Sequence, residues 1–225
     1  MIDEPFTLFK SFEDEMRVSI FTKEDGIASD TEAAERLGSK NIAGLSQVHG
    51  NRTVVVRSDN DRIEDADGLI TDEAGLVLTV RWADCQNFII YAPERHVVGL
   101  LHAGWRGLVS DCIPEYFEAL RENFGIEPQE TCVGAGPSLC KNCAEFSSPE
   151  KELPDVDPRF FDGRHVDLRA LAKNSLLSLG VSEENFEASD DCTRCSPERY
   201  WTYRGGDSDE VKKGKINRLC CVLKK

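Results

Sequence analysis

Basic residues are scarce in this chain. Its 225 residues include 27 lysines and arginines against 41 aspartates and glutamates, which gives a formal net charge of −14. Proteins that bind the backbone of DNA or RNA need a basic face. The KKGK segment at 212–215 is short and lies among acids, so we interpret it as a solvated turn. The sequence therefore predicts no nucleic-acid partner.

Long apolar runs are also missing. No stretch approaches the roughly 18 to 20 apolar residues that span a bilayer, and the acidic N-terminus lacks the basic segment and apolar core of a secretory signal. The composition is that of a globular protein, with 40% hydrophobic residues. We expect a single domain over residues 1–225 and no membrane partner.

Nine cysteines are present, an odd number in a chain too large to depend on disulfides. In the absence of a recognisable export signal, the simplest interpretation is that the thiols are reduced. We therefore expect a cytoplasmic protein.

Short apolar segments predict most of the secondary structure as strands. FTLF and VSIFT near the N-terminus, then GLVLTVRW and TCVGAG, have strand character, and a loop through QVHG leads into a strand from Thr53 to Val56. NFIIYAPERHVVGLLHAG predicts a hairpin that turns at Pro-Glu-Arg. RYWTYRGG and KINRLCCVLKK predict two closing strands. Strands this apolar are buried on both faces, so helices should cover the sheet.

Three segments predict those helices. SDTEAAERLGSK has Ser29 or Asp30 as its N-cap, and VDLRALAKNSLLSLG has Asp167. The segment after HAGWRG has apolar residues at helical spacing, where Pro114 implies a late start or a kink. Residues 147–163 are rich in Pro, Asp and Glu and predict an exposed loop. The fold class we expect is α/β (α+β), a mixed central sheet covered by helices.

Two histidines and a cysteine stand beside apolar strands. His102 closes the second strand of the predicted hairpin, Cys85 precedes the first, and His49 lies in QVHG. Hairpin pairing brings Cys85 and His102 together, and two histidines with one thiolate suit zinc. Three protein ligands leave one position open, as in catalytic zinc sites. Each residue could instead be an ordinary core side chain.

A rival metal site is conceivable at two Cys-x-x-Cys pairs. One pair is Cys140 and Cys143, and the other is Cys192 and Cys195. Their separation along the chain is much wider than in zinc ribbons, so a structural zinc ion is the less favoured interpretation. A redox dithiol is less favoured still, because neither pair opens a helix in a thioredoxin-like unit.

Several motifs in order resemble one protein family. They are QVHG, ADG-x-x-T, ADC, HAGWRG, GP, VDL, CT-x-C and Y-R-x-G, from about residue 40 to the end of the chain. Together they resemble the laccase-domain family, first called multi-copper polyphenol oxidoreductases and later recognised as zinc-dependent purine nucleoside phosphorylases.

The resemblance implies a ligand set and an activity. By motif, the family's zinc ligands fall on His49, Cys85 and His102, the same three residues as above. The implied activities are phosphorolysis of adenosine, of inosine or guanosine and of methylthioadenosine, together with adenosine deamination. The partners are then purine nucleosides and phosphate.

The sequence departs from the family pattern at three places. Asn87 stands where a proline is usual, Ala144 where an aromatic residue is usual, and Gly214-Lys215 where Gly-Arg is usual. These departures leave the metal ligands intact and bear on substrate preference.

Copper chemistry is disfavoured by composition. The chain has four histidines, too few for the several centres of a multicopper oxidase, and its two methionines are Met1 and Met16. A blue-copper centre usually has a weak axial methionine. We therefore expect zinc rather than copper.

Further side chains are candidates for catalysis and substrate binding. Asp84, next to Cys85, is the candidate proton shuttle for attack by zinc-activated water on C6 of adenosine. Arg106, at the mouth of a helix, is the candidate for binding phosphate near the ribose C1′, with Arg204 as a second. Gln47 is a candidate for contacts with base or ribose, and Trp105 could stack on a purine. Each could equally serve packing or solvation.

Two other function classes remain open. In a cysteine hydrolase, Cys85 would be the nucleophile and His102 the base, with His49 or Asp84 orienting it. Since relatives in the family have been tied to editing of peptidoglycan precursors, an amidase of that kind is the alternative. In a non-catalytic binding module, the same residues would hold a metal without turnover.

Overall fold

Two β-sheets that pack against each other form the body of the protein. The computed structural model describes residues 1–60 and 62–225. The strands are β1 (Ile2–Asp3), β2 (Met16–Phe21), β3 (Ile42–Ala43), β4 (Leu45–Ser46), β5 (Thr53–Val55), β6 (Ile63–Glu64), β7 (Gly68–Thr71), β8 (Val77–Trp82), β9 (Gln86–Ala92), β10 (Val97–Ala103), β11 (Cys132–Ala135), β12 (Phe161–Asp162), β13 (His165–Val166), β14 (Phe186–Ala188) and β15 (Asn217–Leu223). The helices are α1 (Asp30–Arg36), α2 (Trp105–Val109), α3 (Cys112–Phe124), α4 (Pro149–Glu152), α5 (Leu168–Leu179) and α6 (Ser208–Lys212).

The first sheet has five strands in the order β1-β2-β15-β8-β3, and the second has six in the order β14-β11-β9-β10-β7-β5. Most pairs are antiparallel, and β3, β5 and β14 each join a neighbour in parallel. Short pairs β4-β6 and β12-β13 lie outside these sheets. The predicted mixed α/β fold is confirmed.

Alternation along the strands explains the layering. On β10, Val98 and Leu100 face the first sheet, whereas Val97 and Leu101 face α3 and α5 on the other side. The central strands are therefore buried on both faces, as their apolarity predicts. One face is covered by another sheet rather than by helices, which corrects the single central sheet that the sequence suggests.

The hairpin of β9 and β10 is confirmed. Pro93–Arg95 forms the turn, and the pairing register runs from Val97 opposite Ala92 to Ala103 opposite Gln86. This register brings the start of β9 and the end of β10 to the same edge of the sheet.

The helical segment that follows is broken once. Asp111, with a φ of 62°, separates α2 from α3, and Pro114 is the third residue of α3. A proline in the first turn removes no intrahelical hydrogen bond. The late start that Pro114 implies is therefore confirmed.

Three local predictions are wrong. FTLF lies in a 3₁₀ helix, Thr7–Phe12, that buries Phe9 against the core, because a short apolar segment satisfies either conformation. RYWTYRGG forms a helical turn at Tyr203–Asp207 rather than a strand. The segment 147–163 contains α4 and buries Leu153, Val156 and Phe160 with Phe146 in a separate apolar cluster.

No helix among the described residues is long and apolar enough to cross a membrane.

Asp30 compensates a group of arginines at one end of the first sheet. The N-cap of α1 is Ser29, whose hydroxyl accepts a hydrogen bond from Glu32 N. Arg81 and Arg218 stand opposite each other on β8 and β15, and both donate Nε to Asp30 Oδ1, at 3.0 and 2.9 Å. Arg62 pairs with the other carboxylate oxygen. Like charges on facing strands repel, so this carboxylate is needed between them.

We predict that Asp30→Asn lowers the free energy of unfolding at neutral pH by about 3 kcal/mol, because it leaves the buried Arg218 and two half-buried arginines without their anion. Burial raises the pKa of Asp30, but its arginine partners outweigh this effect and lower that pKa below the usual 3.8. The carboxylate's contribution is therefore present above its unfolded pKa and is lost as pH falls through the folded one.

Urea denaturation at neutral pH and at about pH 3 measures the effect, with exposed Asp155→Asn as the matched control, expected within about 0.5 kcal/mol of wild type. A loss that is equal for both variants, or that grows towards acid pH, would show that the ion pairs do not stabilise this end of the sheet.

Candidate metal centre

A buried carboxylate shapes the loop that carries the first candidate ligand. His49 lies between β4 and β5 with a φ of 61°, in the left-handed region. Asp67, at the entrance of β7, is completely buried and accepts hydrogen bonds from the backbone amides of Val48, His49 and Gly50, at 3.2, 3.0 and 2.7 Å. These three bonds hold the loop in its strained conformation and fix the position of His49.

The same carboxylate orients the second histidine. His102, near the end of β10, is 3% exposed, and its Nδ1 lies 2.8 Å from Asp67 Oδ1. Its backbone amide donates to Asp67 O at 2.8 Å. An ionised carboxylate accepts only, so Nδ1 carries the proton and donates, and Nε2 is left as the coordinating atom.

Cys85 completes the group at the start of β9. Single ligand atoms of His49, Cys85 and His102 all lie within 4.8 Å of one another, and the two imidazole rings are 4.9 Å apart at 84°. A side chain at Gly104 would come within 2.5 Å of the His49 ring and 3.3 Å of Cys85 Sγ. Gly104, the first glycine of HAGWRG, is therefore required for the three candidate ligands to meet.

Cys85 and His102 shift each other's pKa. Burial raises the pKa of the Cys85 thiol, but His102 and His49 outweigh burial and lower that pKa to about 6. Burial lowers the pKa of His102, while Cys85 and Asp67 raise it to about 9. These opposite shifts favour the thiolate of Cys85 and the protonated ring of His102, and a metal that binds both side chains must displace the proton on Nε2 of His102.

The donor set fits a zinc ion. Two imidazoles and one thiolate are borderline-soft ligands that zinc prefers, and three protein ligands leave a position open. The Asp67–His102 bond is the carboxylate contact typical of metal-bound histidine. The ligands predicted from sequence are therefore brought together by the fold, while the identity of the metal is part of the proposal below.

Asp67 is the residue that sequence reasoning missed. It lies in the ADG-x-x-T motif, yet its role was not apparent because the motif is 18 residues from His49 and 35 from His102. The available signal was an acidic residue at the edge of a buried apolar strand, which needs a compensating partner.

Asp84 braces the loops around Cys85. Its carboxylate accepts hydrogen bonds from the hydroxyls of Thr193 and Thr202 and from the backbone amide of Arg204, at 2.7, 2.6 and 2.7 Å. These contacts suit a structural role, and its function as a proton shuttle stays a prediction.

Gln47 is occupied by backbone groups. Its Nε2 donates to Arg81 O at 2.7 Å and its Oε1 accepts from Arg81 N at 2.8 Å. The side chain thus joins the His49 loop to β8, and its contact with substrate stays a prediction.

The two candidate arginines differ in freedom. Arg106 is exposed, lies 4.4 Å from the Trp105 ring and forms no ion pair with any described residue. Arg204 is also exposed, but its Nη1 donates to Glu145 O at 2.5 Å and its guanidinium lies over Phe146. Arg106 is therefore the more available cation.

With the exception of Asp67, which lies behind the two histidines, these side chains line one cavity of about 740 Å³. Its walls include the three ligand residues, Asp84, Gln47, both arginines and the apolar side chains Trp82, Trp105, Leu139 and Leu168. A second cavity of equal volume lies between the N-terminal segment and the C-terminus, but the described residues that line it include no histidine or cysteine. The chemistry therefore favours the first cavity.

Comparison with known proteins identifies the family. The family model described as multi-copper polyphenol oxidoreductase laccase matches residues 23–222. The chain belongs to this family, which confirms the resemblance predicted from the motifs.

Similar curated proteins are named as nucleoside enzymes. Purine nucleoside phosphorylase SSP1584 of Staphylococcus saprophyticus is 28% identical over 79% of this chain and 70% of the relative. Purine nucleoside phosphorylase YlmD of Geobacillus stearothermophilus is 29% identical over 70% and 65%. Adenosine deaminase RL5 from an unknown prokaryotic organism is 29% identical over 63% and 58%. The aligned regions of the latter two span less than two thirds of those relatives. At the level of the family, the names support an enzyme.

Solved structures share the fold. The crystal structure of YlmD from Geobacillus stearothermophilus has a TM-score of 0.82 at 21% identity and covers 98% of this chain and 94% of that one. Bacillus licheniformis hypothetical protein YfiH has a TM-score of 0.74 at 20% identity, over 86% and 79%.

We predict that Asp67→Asn weakens zinc binding at the His49–Cys85–His102 site about 10- to 100-fold. The side-chain amide of asparagine would place its own N–H donors against the N–H groups that now donate to Asp67. The His49 loop and the His102 ring would therefore be held less firmly. Competition with a chromophoric chelator measures the affinity.

The control is Asp65→Asn, which makes the same change of charge two residues away at an exposed position with a φ of 54°. Asparagine tolerates that conformation. Equal affinities for wild type and the Asp67 variant would mean that the carboxylate does not organise the ligands.

Proposed function

We propose that this chain is a zinc-dependent purine nucleoside phosphorylase. Its substrates would be adenosine, inosine or guanosine, and methylthioadenosine, together with inorganic phosphate. The observation that carries the proposal is the convergence of His49, Cys85 and His102 in a cavity that also exposes Arg106. The names of the relatives support the same activity.

The cavity has the size and character of a small-molecule site. Its volume of about 740 Å³ falls in the range of ligand pockets, roughly 300 to 1,000 Å³. Trp105 and Leu139 offer apolar and aromatic surface for a purine ring. The single domain over residues 1–225 and the cytoplasmic location remain part of this proposal, and nine free thiols support a reducing compartment.

Arg106 would bind the phosphate. Because α2 has only five residues, the helix contributes little and the guanidinium supplies the charge. The Arg106 guanidinium stacks on the Trp105 ring, so it lies beside the surface proposed for the base. Phosphate held there would attack the ribose C1′, and the bond from C1′ to the purine nitrogen would break as the base leaves with a proton.

His49, Cys85 and His102 would hold the zinc ion, which supplies a Lewis acid at its open coordination position when bound. Asp67 keeps the proton on Nδ1 of His102 and so presents Nε2 to the site. Asp84 would move a proton only if its three hydrogen bonds rearrange, so its first role in this scheme is to hold the Cys85 loop. Deamination of adenosine would use the same cavity.

Products formed from adenosine test the proposal. Wild-type protein loaded with zinc should release adenine only when phosphate is present, because phosphate is the second substrate. Cys85→Ala should abolish this release, since it removes one of three ligands. Chromatographic separation of the products measures the outcome.

The matched control is Cys132→Ala, a cysteine at the start of β11, paired with Tyr91 near the far end of β9. It should retain activity. Inosine formed without phosphate would assign deamination instead. The absence of turnover with adenosine, inosine and methylthioadenosine would exclude the nucleoside proposal.

A cysteine hydrolase is the second candidate. The observation that favours it is the chain of contacts from Cys85 to His102 to Asp67. In a hydrolase, these residues would act as nucleophile, base and orienting acid. The presence of His49 as a third donor within 4.8 Å favours the metal instead.

Alkylation separates the two candidates. In the zinc enzyme, iodoacetamide should modify Cys85 slowly until a chelator removes the metal, because a coordinated thiolate is protected. Mass spectrometry of the peptide that contains Cys85 measures the rate. Rapid modification without chelator, with complete loss of activity, would support the hydrolase.

A further inference from the structure

Four cysteines outside the catalytic cavity meet at one point. Cys140 is the N-cap of a 3₁₀ turn that precedes α4, and Cys143 is the last residue of that turn, whereas Cys192 and Cys195 lie in the loop after β14. Their four sulfur atoms lie within 4.8 Å of one another, although the two pairs are about fifty residues apart in the chain. The wide spacing that disfavoured a zinc ribbon is therefore closed by the fold.

The sulfur separations agree with a tetrahedral metal site. Cys143 Sγ lies 3.6 Å from Cys195 Sγ, and Cys140 Sγ lies 4.0 Å from it. Four thiolates at the usual zinc–sulfur distance of about 2.3 Å are about 3.8 Å apart at the corners of a tetrahedron. Each pair has the two-residue spacing by which one turn of chain supplies two ligands.

The surroundings of the four cysteines suit thiolates. Cys143 and Cys192 are buried with Leu139 and Ala144, and the backbone amide of Cys140 donates to Cys192 Sγ at 3.2 Å. All nine cysteines, each among the described residues, are free. Four thiols aimed at one centre would repel one another if ionised, so a divalent cation is the natural partner.

We propose that Cys140, Cys143, Cys192 and Cys195 bind a second zinc ion that is structural. All four positions are filled by protein sulfur, so this site has no opening for substrate, in contrast to the three-ligand site. On binding, four sulfur–zinc bonds form and the thiol protons are released to solvent. No change of oxidation state is involved.

The second zinc ion would clamp the wall of the catalytic cavity. Leu139, which precedes Cys140, lines the cavity and donates its backbone amide to Asp84 O at 3.1 Å. Thr193, which follows Cys192, donates its hydroxyl to the Asp84 carboxylate at 2.7 Å. Both halves of the cluster therefore adjoin the residue that precedes Cys85, and the clamp fixes the position of that loop.

Metal counting by mass spectrometry of purified holoprotein tests the proposal. Wild type should contain two zinc ions per chain. Cys140→Ser/Cys195→Ser should contain one, and Cys85→Ala should also contain one, because each removes a different site. The matched double variant Cys112→Ala/Cys132→Ala changes two cysteines outside both clusters and should retain two.

The count distinguishes failure of this proposal from failure of the catalytic one. One zinc in wild type that is lost in Cys85→Ala and retained in Cys140→Ser/Cys195→Ser would overturn the structural site. Iron instead of zinc at the four-cysteine site would overturn it as well. So would a count of fewer than nine thiols in denatured wild type treated with chelator, because some cysteines would then be oxidised. One zinc that follows the opposite pattern would support this site and reject the catalytic metal.

A second measurement does not depend on how the serine variant folds. Cobalt bound to Cys85→Ala should show intense sulfur-to-metal absorption and the visible bands of a tetrahedral site with four thiolates. Hydrogen exchange of residues 138–144 and 191–196 should be slowed by zinc in this same variant. Cobalt that binds without sulfur ligation, or exchange unchanged by zinc, would contradict the clamp.

Discussion

The buried carboxylate of Asp67 is the interaction on which the candidate metal centre depends. Four donors surround it: the ring of His102 and three successive amides of the His49 loop. Burial of an unpaired charge would be prohibitively costly, and these hydrogen bonds compensate it. One side chain therefore fixes a strained loop and orients an imidazole, so that the fold itself brings together the candidate ligands of three separate segments.

Much of this arrangement is predictable from sequence because it depends on local patterns. The β9–β10 hairpin follows from two apolar runs and a short polar turn, and its pairing alone brings Cys85 beside His102. Helix α5 begins at the N-cap Asp167, as its sequence indicates. Family motifs add His49, which no local pattern connects to the other two ligands.

The rest depends on tertiary contacts that no short segment encodes. Asp67 and Asp30 are single carboxylates whose partners lie on distant strands, so their roles emerge only when the sheets pack. The two Cys-x-x-Cys pairs are a weak metal signal in sequence because they lie far apart, and they converge because their neighbours Leu139 and Thr193 both bond to Asp84. The same packing turns the apolar segment before β2 into a 3₁₀ helix that covers the core.

Anomalous diffraction at the zinc edge from zinc-loaded crystals tests the central claim most directly. We predict a peak at about 2.0 to 2.3 Å from a ring nitrogen of each histidine and from Cys85 Sγ. Asp67 should remain bonded to Nδ1 of His102 in the same map. A peak absent from these three side chains, or a His102 ring turned so that Nδ1 binds the metal, would contradict the account.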